Sequence, residues 1–258
     1  MKDKNPNVVV HEVVVNLASQ ASVREAAGRI RDLAPTLDIL INNAGISVAT
    51  RQWSPEGFEL TLATNHLGPF LLTNLLMPAL TAAAAKSQPG ATRVVNLTST
   101  GNYASPFRFS DYNFEGKPLA PDEKPPKGLP KYLYEEYDGF PGVIAYCASK
   151  TANVLFSLAL NDRLHPSGIR SFAVHPGGEW LPPLLRYGLV LMRYCRVDIN
   201  TNLDREIGAE FLASKNAAPE SIFKSCDQGS ATSLVAALDP GLSGMKSCGV
   251  DPQRSRVD

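Results

Sequence analysis

The chain has little that would mark it for nucleic acid, a metal or a membrane. Its formal net charge is zero, with 25 basic and 25 acidic residues among 258. No excess of positive charge is present to draw a polyanion or an anionic lipid surface, so no nucleic-acid partner is expected and no firm membrane signal is seen. Only four cysteines occur, Cys147, Cys195, Cys226 and Cys248. They are scattered, with no C-x-x-C and no histidine at metal-ligand spacing, so they read as reduced, inert thiols and no metal site is expected. Met1 to Pro6 are polar and no apolar run follows, so no signal peptide is expected. The longest apolar stretch outside the expected helices, Leu181 to Val197, is too short for a bilayer and is broken by Arg186, Arg193 and Arg196. It reads as amphipathic or lid-like, and the expected compartment is the cytoplasm.

What is present suits a packed core. Apolar residues make up 44% of the chain and charged ones 19%, and the length fits a single α/β domain over 1–258. Residues 8–15 are β-branched and almost all apolar, the pattern of a buried parallel strand. A helix over about 20–34 follows, capped by Ser19 or Ser22 and stopped by Pro35. Residues 37–41 form a second short apolar strand, ending in Asn42-Asn43-Ala44-Gly45. The run from Pro55 to about Lys86 reads as mostly helical, with Pro69 and Pro78 as kinks or breaks. Residues 93–97 give a third strand ending in Thr98-Ser99-Thr100-Gly101. Residues 102–143, rich in proline and aromatics, read as a surface insertion without regular structure. A strong helix over 145–165 and a strand over 169–175 come next, the latter ended by Pro176-Gly177-Gly178. Further helices are expected over 204–214 and 228–238, a lid over about 181–215, and a patternless tail from Met245.

Alternating strands and helices imply a doubly wound parallel sheet, in which ligands bind beyond the carboxyl ends of the strands. Asn16, Asn42 to Gly45, Thr98 to Gly101 and His175 to Gly178 all fall at such ends. Tyr146 opens the helix after the third of these ends. Lys150, four residues on, shares its helical face. A phenol is a poor acid or base at neutral pH, but a neighbouring ammonium favours its ionised form, so this pair can exchange protons with an alcohol or carbonyl. Composition alone makes such a pair common; its convergence with the strand ends gives it weight.

Taken in order, Asn42-Asn43-Ala44-Gly45, Asn65, Ser99, Tyr146-x-x-x-Lys150 and Pro176-Gly177 resemble the short-chain dehydrogenase/reductase family. The branch most similar holds retinol dehydrogenases, WW-domain oxidoreductases and protochlorophyllide reductases. The resemblance implies a Rossmann-like fold and hydride transfer between a nicotinamide cofactor and a small alcohol or carbonyl substrate. Tyr146 would be the acid/base, Lys150 would lower its pKa and bond the nicotinamide ribose, and Ser99 would hold the substrate oxygen. Asn65 would position a water behind Lys150. Asn16, Asn42, Ala44, Gly45, Pro176 and Gly177 would line the cofactor together with Tyr146 and Lys150. The implied cofactor is NADP, with NAD as the other candidate. The segments 102–143 and 181–197 would flank a bulky, apolar substrate, and self-association is left open.

Three departures qualify the resemblance. No G-x-x-x-G-x-G turn occurs in the 258 residues, and the chain is expected to lack the family's first two strands. Residues 8–15 would then pair directly with 37–41 or pack loosely, leaving 37–41 at a sheet edge. Glu179 and Leu181 stand where the family has an apolar residue and a threonine, and the tail lacks an expected last strand. The alternative reading is therefore a truncated relative unable to hold the cofactor. A serine hydrolase built on Ser99 and His175 is disfavoured, since no G-x-S-x-G elbow surrounds Ser99.

Overall fold

The computed structural model describes residues 7–129, 131–134, 136–176, 226–244 and 249–250. Gly177, the expected helix over 204–214 and the lid over 181–215 lie outside the described residues. Among the described residues, four parallel strands form one sheet in the order β1 (Ile39–Asn42), β2 (Thr92–Leu97), β3 (Ile169–Val174) and β4 (Gly249–Val250). Because side chains alternate across a strand, Val94 and Val95 point to opposite faces, and each face is covered. On one face Val94 and Ile169 pack against Leu80 of α3 (Gly68–Ala84) and against Phe156 and Leu160 of α4 (Gly142–Leu164). On the other, Val95, Phe172 and Val174 pack against Ala236 and Ala237 of the last described helix, Cys226–Leu238. This is the doubly wound Rossmann-like architecture.

Helix α1 (Gln20–Leu33) forms as its capping residue dictates. Ser19 accepts a hydrogen bond from Ser22 N, and the apolar Val23 and Ala27 face Leu72 and Leu76 of α3. Gly68 makes the approach possible: a Cβ there would lie 2.2 Å from the Leu17 carbonyl oxygen. The segment leading into α3 is not a plain helix. A single turn, α2 (Leu60–Leu62), is capped by the buried Glu59 carboxylate, which accepts from Thr61 N and Leu62 N at 2.8 Å. A π-turn over Ala63–Leu67 follows, and only then does α3 begin, with Pro69 in its first turn. Pro78 stands inside α3, which runs on through it.

Two expectations are corrected. Residues 8–15 are extended but belong to no strand, and Val9 and Val14 are each 77% exposed. Of the two outcomes considered, loose packing is the one found. Strand propensity needs a ladder partner; here Val15 and Leu17 are drawn to the α1–α3 cluster instead of to the edge of β1. The tail does hold a strand: Gly249 and Val250 pair in parallel with Ala173 and Val174. Two residues are too few to show a period. Residues 102–143 are irregular, as expected, with short 3-10 turns at Thr100–Tyr103, Pro121–Glu123 and Lys131–Tyr134. They are packed nonetheless: Phe114, Leu133 and Phe140 close over Ile144, Ala145 and Ala148 of α4.

Arg93 of β2 binds the last described helix to the sheet. It is 2% exposed; Nε donates to Gly90 O, Nη1 to Ala236 O, and Nη2 to Asp239 O and Ser243 Oγ. Burial lowers its pKa, with Asp239 opposing. Carbonyls at a helix C-terminus want cationic donors. Arg93→Met, which removes all four of these hydrogen bonds from the sheet–helix junction, is expected to cost roughly 3–5 kcal/mol in urea unfolding.

Candidate active site

The carboxyl ends of β1, β2 and β3 bring the expected residues together. Gly45 follows β1. A Cβ on it would lie 3.3 Å from both Asn65 Oδ1 and Lys150 Nζ, so the glycine lets the backbone reach these two groups. Asn43 and Ala44 beside it are exposed. Asn42 commits its amide hydrogens inward, to Thr73 Oγ1 at 3.0 Å and Asn96 Oδ1 at 2.8 Å, and so ties β1 to β2 and α3.

Asn65 sits on the π-turn, a distortion that often marks functional helices. Its side chain clamps the chain after Gly45: Oδ1 accepts from Ile46 N at 2.7 Å and Nδ2 donates to Ile46 O at 2.9 Å. Nδ2 also donates to Ser149 Oγ at 3.0 Å, and Ser149 Oγ donates to the Tyr146 carbonyl at 2.7 Å. Asn65 is 1% exposed. It joins the end of β1 to the first turns of α4. Asn65→Leu, of similar volume, orphans both Ile46 backbone groups; a loss of about 3 kcal/mol is expected by chemical denaturation.

Tyr146 and Lys150 lie one turn apart on α4, with Lys150 Nζ 5.5 Å from the centre of the phenol ring. Lys150 is 4% exposed, and Nζ donates to the Leu97 carbonyl at 3.2 Å. Burial pulls its pKa down to about 8. Thr98 Oγ1 donates to the Lys150 carbonyl at 2.9 Å, which pins α4 to the end of β2. Ser99 is half-buried and caps the 3-10 turn by accepting from Gly101 N at 3.2 Å. Ser99 and Tyr146 meet across Gly101: a Cβ there would be 3.6 Å from Ser99 Oγ and 3.7 Å from Tyr146 Cε1. The neighbouring Cys147 is buried, and desolvation pushes its thiol up to about 12, so it is no nucleophile.

The remaining expected residues lie at the margins. Asn16 is exposed; its Oδ1 accepts from Ala18 N at 3.0 Å and shapes the turn into α1. Pro176 follows β3 and is half-buried. Sequence reasoning missed Thr98, Ser149, Asn153 and His66. For Ser149 and Asn153 the available signal was their position on the inner face of the Tyr146 helix, three and seven residues after Tyr146.

Residues 2–113 match the short chain dehydrogenase family. Oxidoreductase fscI of Fusarium equiseti is 36% identical over 183 residues, 70% of this chain and 70% of that protein. Human retinol dehydrogenase 13 is 37% identical over 163 residues, 63% of this chain and 41% of the relative. Retinol dehydrogenase 12 of Bos taurus is 38% identical over 174 residues, 67% of this chain and 46% of the relative. The matches to the two retinol dehydrogenases thus span less than half of those proteins. Among solved structures, the NADH complex of 3-ketoacyl-(acyl-carrier-protein) reductase from Brucella melitensis superposes with a TM-score of 0.55 at 21% identity, covering 93% of this chain and 75% of that one. NADPH-bound carbonyl reductase from chicken fatty liver gives 0.51 at 18% identity, covering 89% and 69%. At such identities these two likenesses speak for the fold. The chain belongs to the short-chain dehydrogenase family, a family of oxidoreductases. Within it, the similarity runs to the branch that holds the retinol dehydrogenases.

Proposed function

We propose that this chain is an NAD(P)-dependent oxidoreductase that interconverts an alcohol and a carbonyl, with Tyr146 as the acid/base. The observation that carries this reading is the buried Lys150 ammonium beside the Tyr146 ring, with Ser99 bordering the same gap. The residues present fit the nicotinamide end of a cofactor. Gly45 keeps a space clear beside Lys150 Nζ that a Cβ would fill, and Asn43 and Ala44 are open to solvent at the same strand end. Gly45, Tyr146 and Lys150 would hold this end of it, with Pro176 at the border. NADP is the preferred form, in keeping with the NADPH-bound fold relative.

The bound cofactor supplies or accepts the hydride. The chain's own part is proton handling. In carbonyl reduction the Tyr146 hydroxyl gives its proton to the substrate oxygen, and in alcohol oxidation the phenolate takes it back. The Lys150 ammonium favours the phenolate. The Ser99 hydroxyl, whose oxygen accepts from Gly101 N, keeps its hydrogen to donate to the same substrate oxygen without adding charge. The Asn65 side chain is committed to Ile46 and Ser149, so its contribution is to hold the strand end and α4 in register. Tyr103, 73% exposed on the turn that starts at Ser99, supports a bulky, apolar or aromatic substrate. We also propose a cytoplasmic location, the compartment that four scattered cysteines without a pairing pattern suit.

Calorimetric titration of the 258-residue chain with NADPH and with NADH tests the reading. Binding of either, followed by consumption of NADPH on adding an aromatic aldehyde, is the expected result. No heat at millimolar cofactor would defeat the enzyme reading for this chain and favour a non-catalytic role.

A further inference from the structure

Asn153 lies seven residues after Tyr146 and three after Lys150, on the face of α4 that meets the π-turn. It is 4% exposed. Its Nδ2 donates to the main-chain carbonyls of Asn65 at 3.1 Å and Leu97 at 3.0 Å. Both amide hydrogens are thereby used; the opposite orientation would set Oδ1 against two carbonyl oxygens. Oδ1 is therefore the acceptor, and His66 Nδ1, 3.0 Å away, must carry the proton. Burial, opposed by the Asn153 bond, lowers the pKa of His66, so the ring is neutral and bears its hydrogen on Nδ1. Rings of Phe70, Phe107 and Phe156 surround it at 6.1, 6.5 and 6.0 Å.

The Asn65 carbonyl cannot take the usual α-helical donor, and Asn153 supplies one. Pro69, four residues further on, has no N–H, so the α-helical partner of that carbonyl is missing. The Leu97 carbonyl is shared, since Lys150 Nζ donates to it as well. We infer that the His66–Asn153 pair positions the Tyr146/Lys150 centre by fixing the Asn65 and Leu97 carbonyls, the second of which seats the Lys150 ammonium. Asn153 and His66 are positioning residues; they act through these carbonyls. The inference rests on reading that centre as the site of proton transfer.

Three measurements test it on the intact chain. Long-range 15N spectra should show the His66 proton on Nδ1 in the wild type and a tautomer mixture in Asn153→Leu. The 15N-detected titration of Lys150, near pH 8 in the wild type, should move upward by about one unit in Asn153→Leu, because Leu97 O then serves one donor. The ionisable neighbours to control are Tyr146 and Cys147 on the same helix, His66, and His175 just past β3; the 43–47 loop brings none. With NADPH and benzaldehyde, kcat should fall about 10- to 100-fold while KM stays within about twofold. If Asn153→Leu does not fold, His66→Phe keeps the ring volume and removes the Nδ1 donor; it should shift Lys150 and kcat in the same directions by less. A wild-type His66 protonated on Nε2, or a folded variant with unchanged Lys150 titration and kcat, overturns the inference. A wild type that neither binds NADPH nor reduces benzaldehyde defeats the reading of the centre instead, while the tautomer and the Lys150 titration still decide the positioning claim.

Discussion

Tyr146→Phe should fold as the wild type does and lose its turnover. The side chain is half-buried on α4, and the substitution keeps the ring that packs beside Lys150. Stability should change by no more than about 1 kcal/mol, the scale of one hydroxyl hydrogen bond. The phenolic proton, by contrast, has no substitute at this place. Ser99 can orient a substrate oxygen, but a free serine hydroxyl is a far weaker acid. Cys147, its thiol pushed up to about 12 by burial, is too weak an acid to replace it. A fall in kcat of about 10³-fold is expected, within the usual range for a lost general acid. Affinity for NADPH should stay within a few-fold, because Lys150 and Gly45 are untouched. The measurements are single-turnover reduction of an aromatic aldehyde and a thermal melt. Retention of more than about a tenth of the rate would remove Tyr146 from its role.

Lys150→Met should produce a chain that is more stable and inactive. Lys150 is buried at a position whose described hydrogen bond is to one neutral carbonyl, and desolvation brings its pKa down from 10.5 to about 8. A lowered base pKa means that the folded state resists the proton more than the unfolded chain does. Below pH 8 the penalty is complete, roughly 3 kcal/mol at 1.36 kcal/mol per pH unit. Between pH 8 and 10.5 the unfolded chain binds more protons than the folded one, so wild-type stability rises with pH across that window. Methionine fills the same volume without charge and gives up one hydrogen bond worth about 1 kcal/mol. The net gain of about 2 kcal/mol should raise Tm by about 5 °C at pH 7. The advantage should shrink as pH approaches 10.5. A lower Tm for the variant at pH 7 would show that the ammonium is better compensated than its one described carbonyl suggests. The prediction exposes a cost of function: the fold holds a cation in its interior because the site needs one there.

Much of this arrangement is legible in the sequence, for physical reasons. Helix α1, the strands ending at Asn42, Leu97 and Val174, and α4 all carry apolar residues at the spacing their geometry demands. Ser19 and Pro35 mark the bounds of α1 where capping chemistry puts them. Tyr146, Lys150, Ser99 and Gly45 were readable because strand ends in a doubly wound sheet converge on one edge, whereas Asn65, on the π-turn, was readable only through the family resemblance. What was not readable depended on partners. The valines of 8–15 carry strand propensity, yet propensity forms no strand without a ladder. The π-turn adds one residue to a helical circuit and leaves the apolar period almost unchanged. Pro69 read as a kink or break, and it stands in the first turn of α3, just after the π-turn. Asn153 and Ser149 look like ordinary polar helix residues, and only their burial against Asn65 reveals what they hold.

The interior amides bear on how this sheet finds its alignment while folding. Asn42 bonds to Asn96, Asn96 Nδ2 reaches Ser157 Oγ at 2.8 Å and Ser171 Oγ at 3.3 Å, and Asn161 exchanges two bonds with the Ser171 backbone. Valines and isoleucines slide past one another with little to choose between neighbouring alignments. Carboxamides do not. A one-residue slip of β1 against β2 would set Asn42 opposite a branched aliphatic chain and strand several buried donors, at about 1–3 kcal/mol each. The polar thread through the sheet thus works as a checksum on strand alignment. The strand ends can only be in the right places for Gly45, Leu97 and Lys150 to meet once that check has passed.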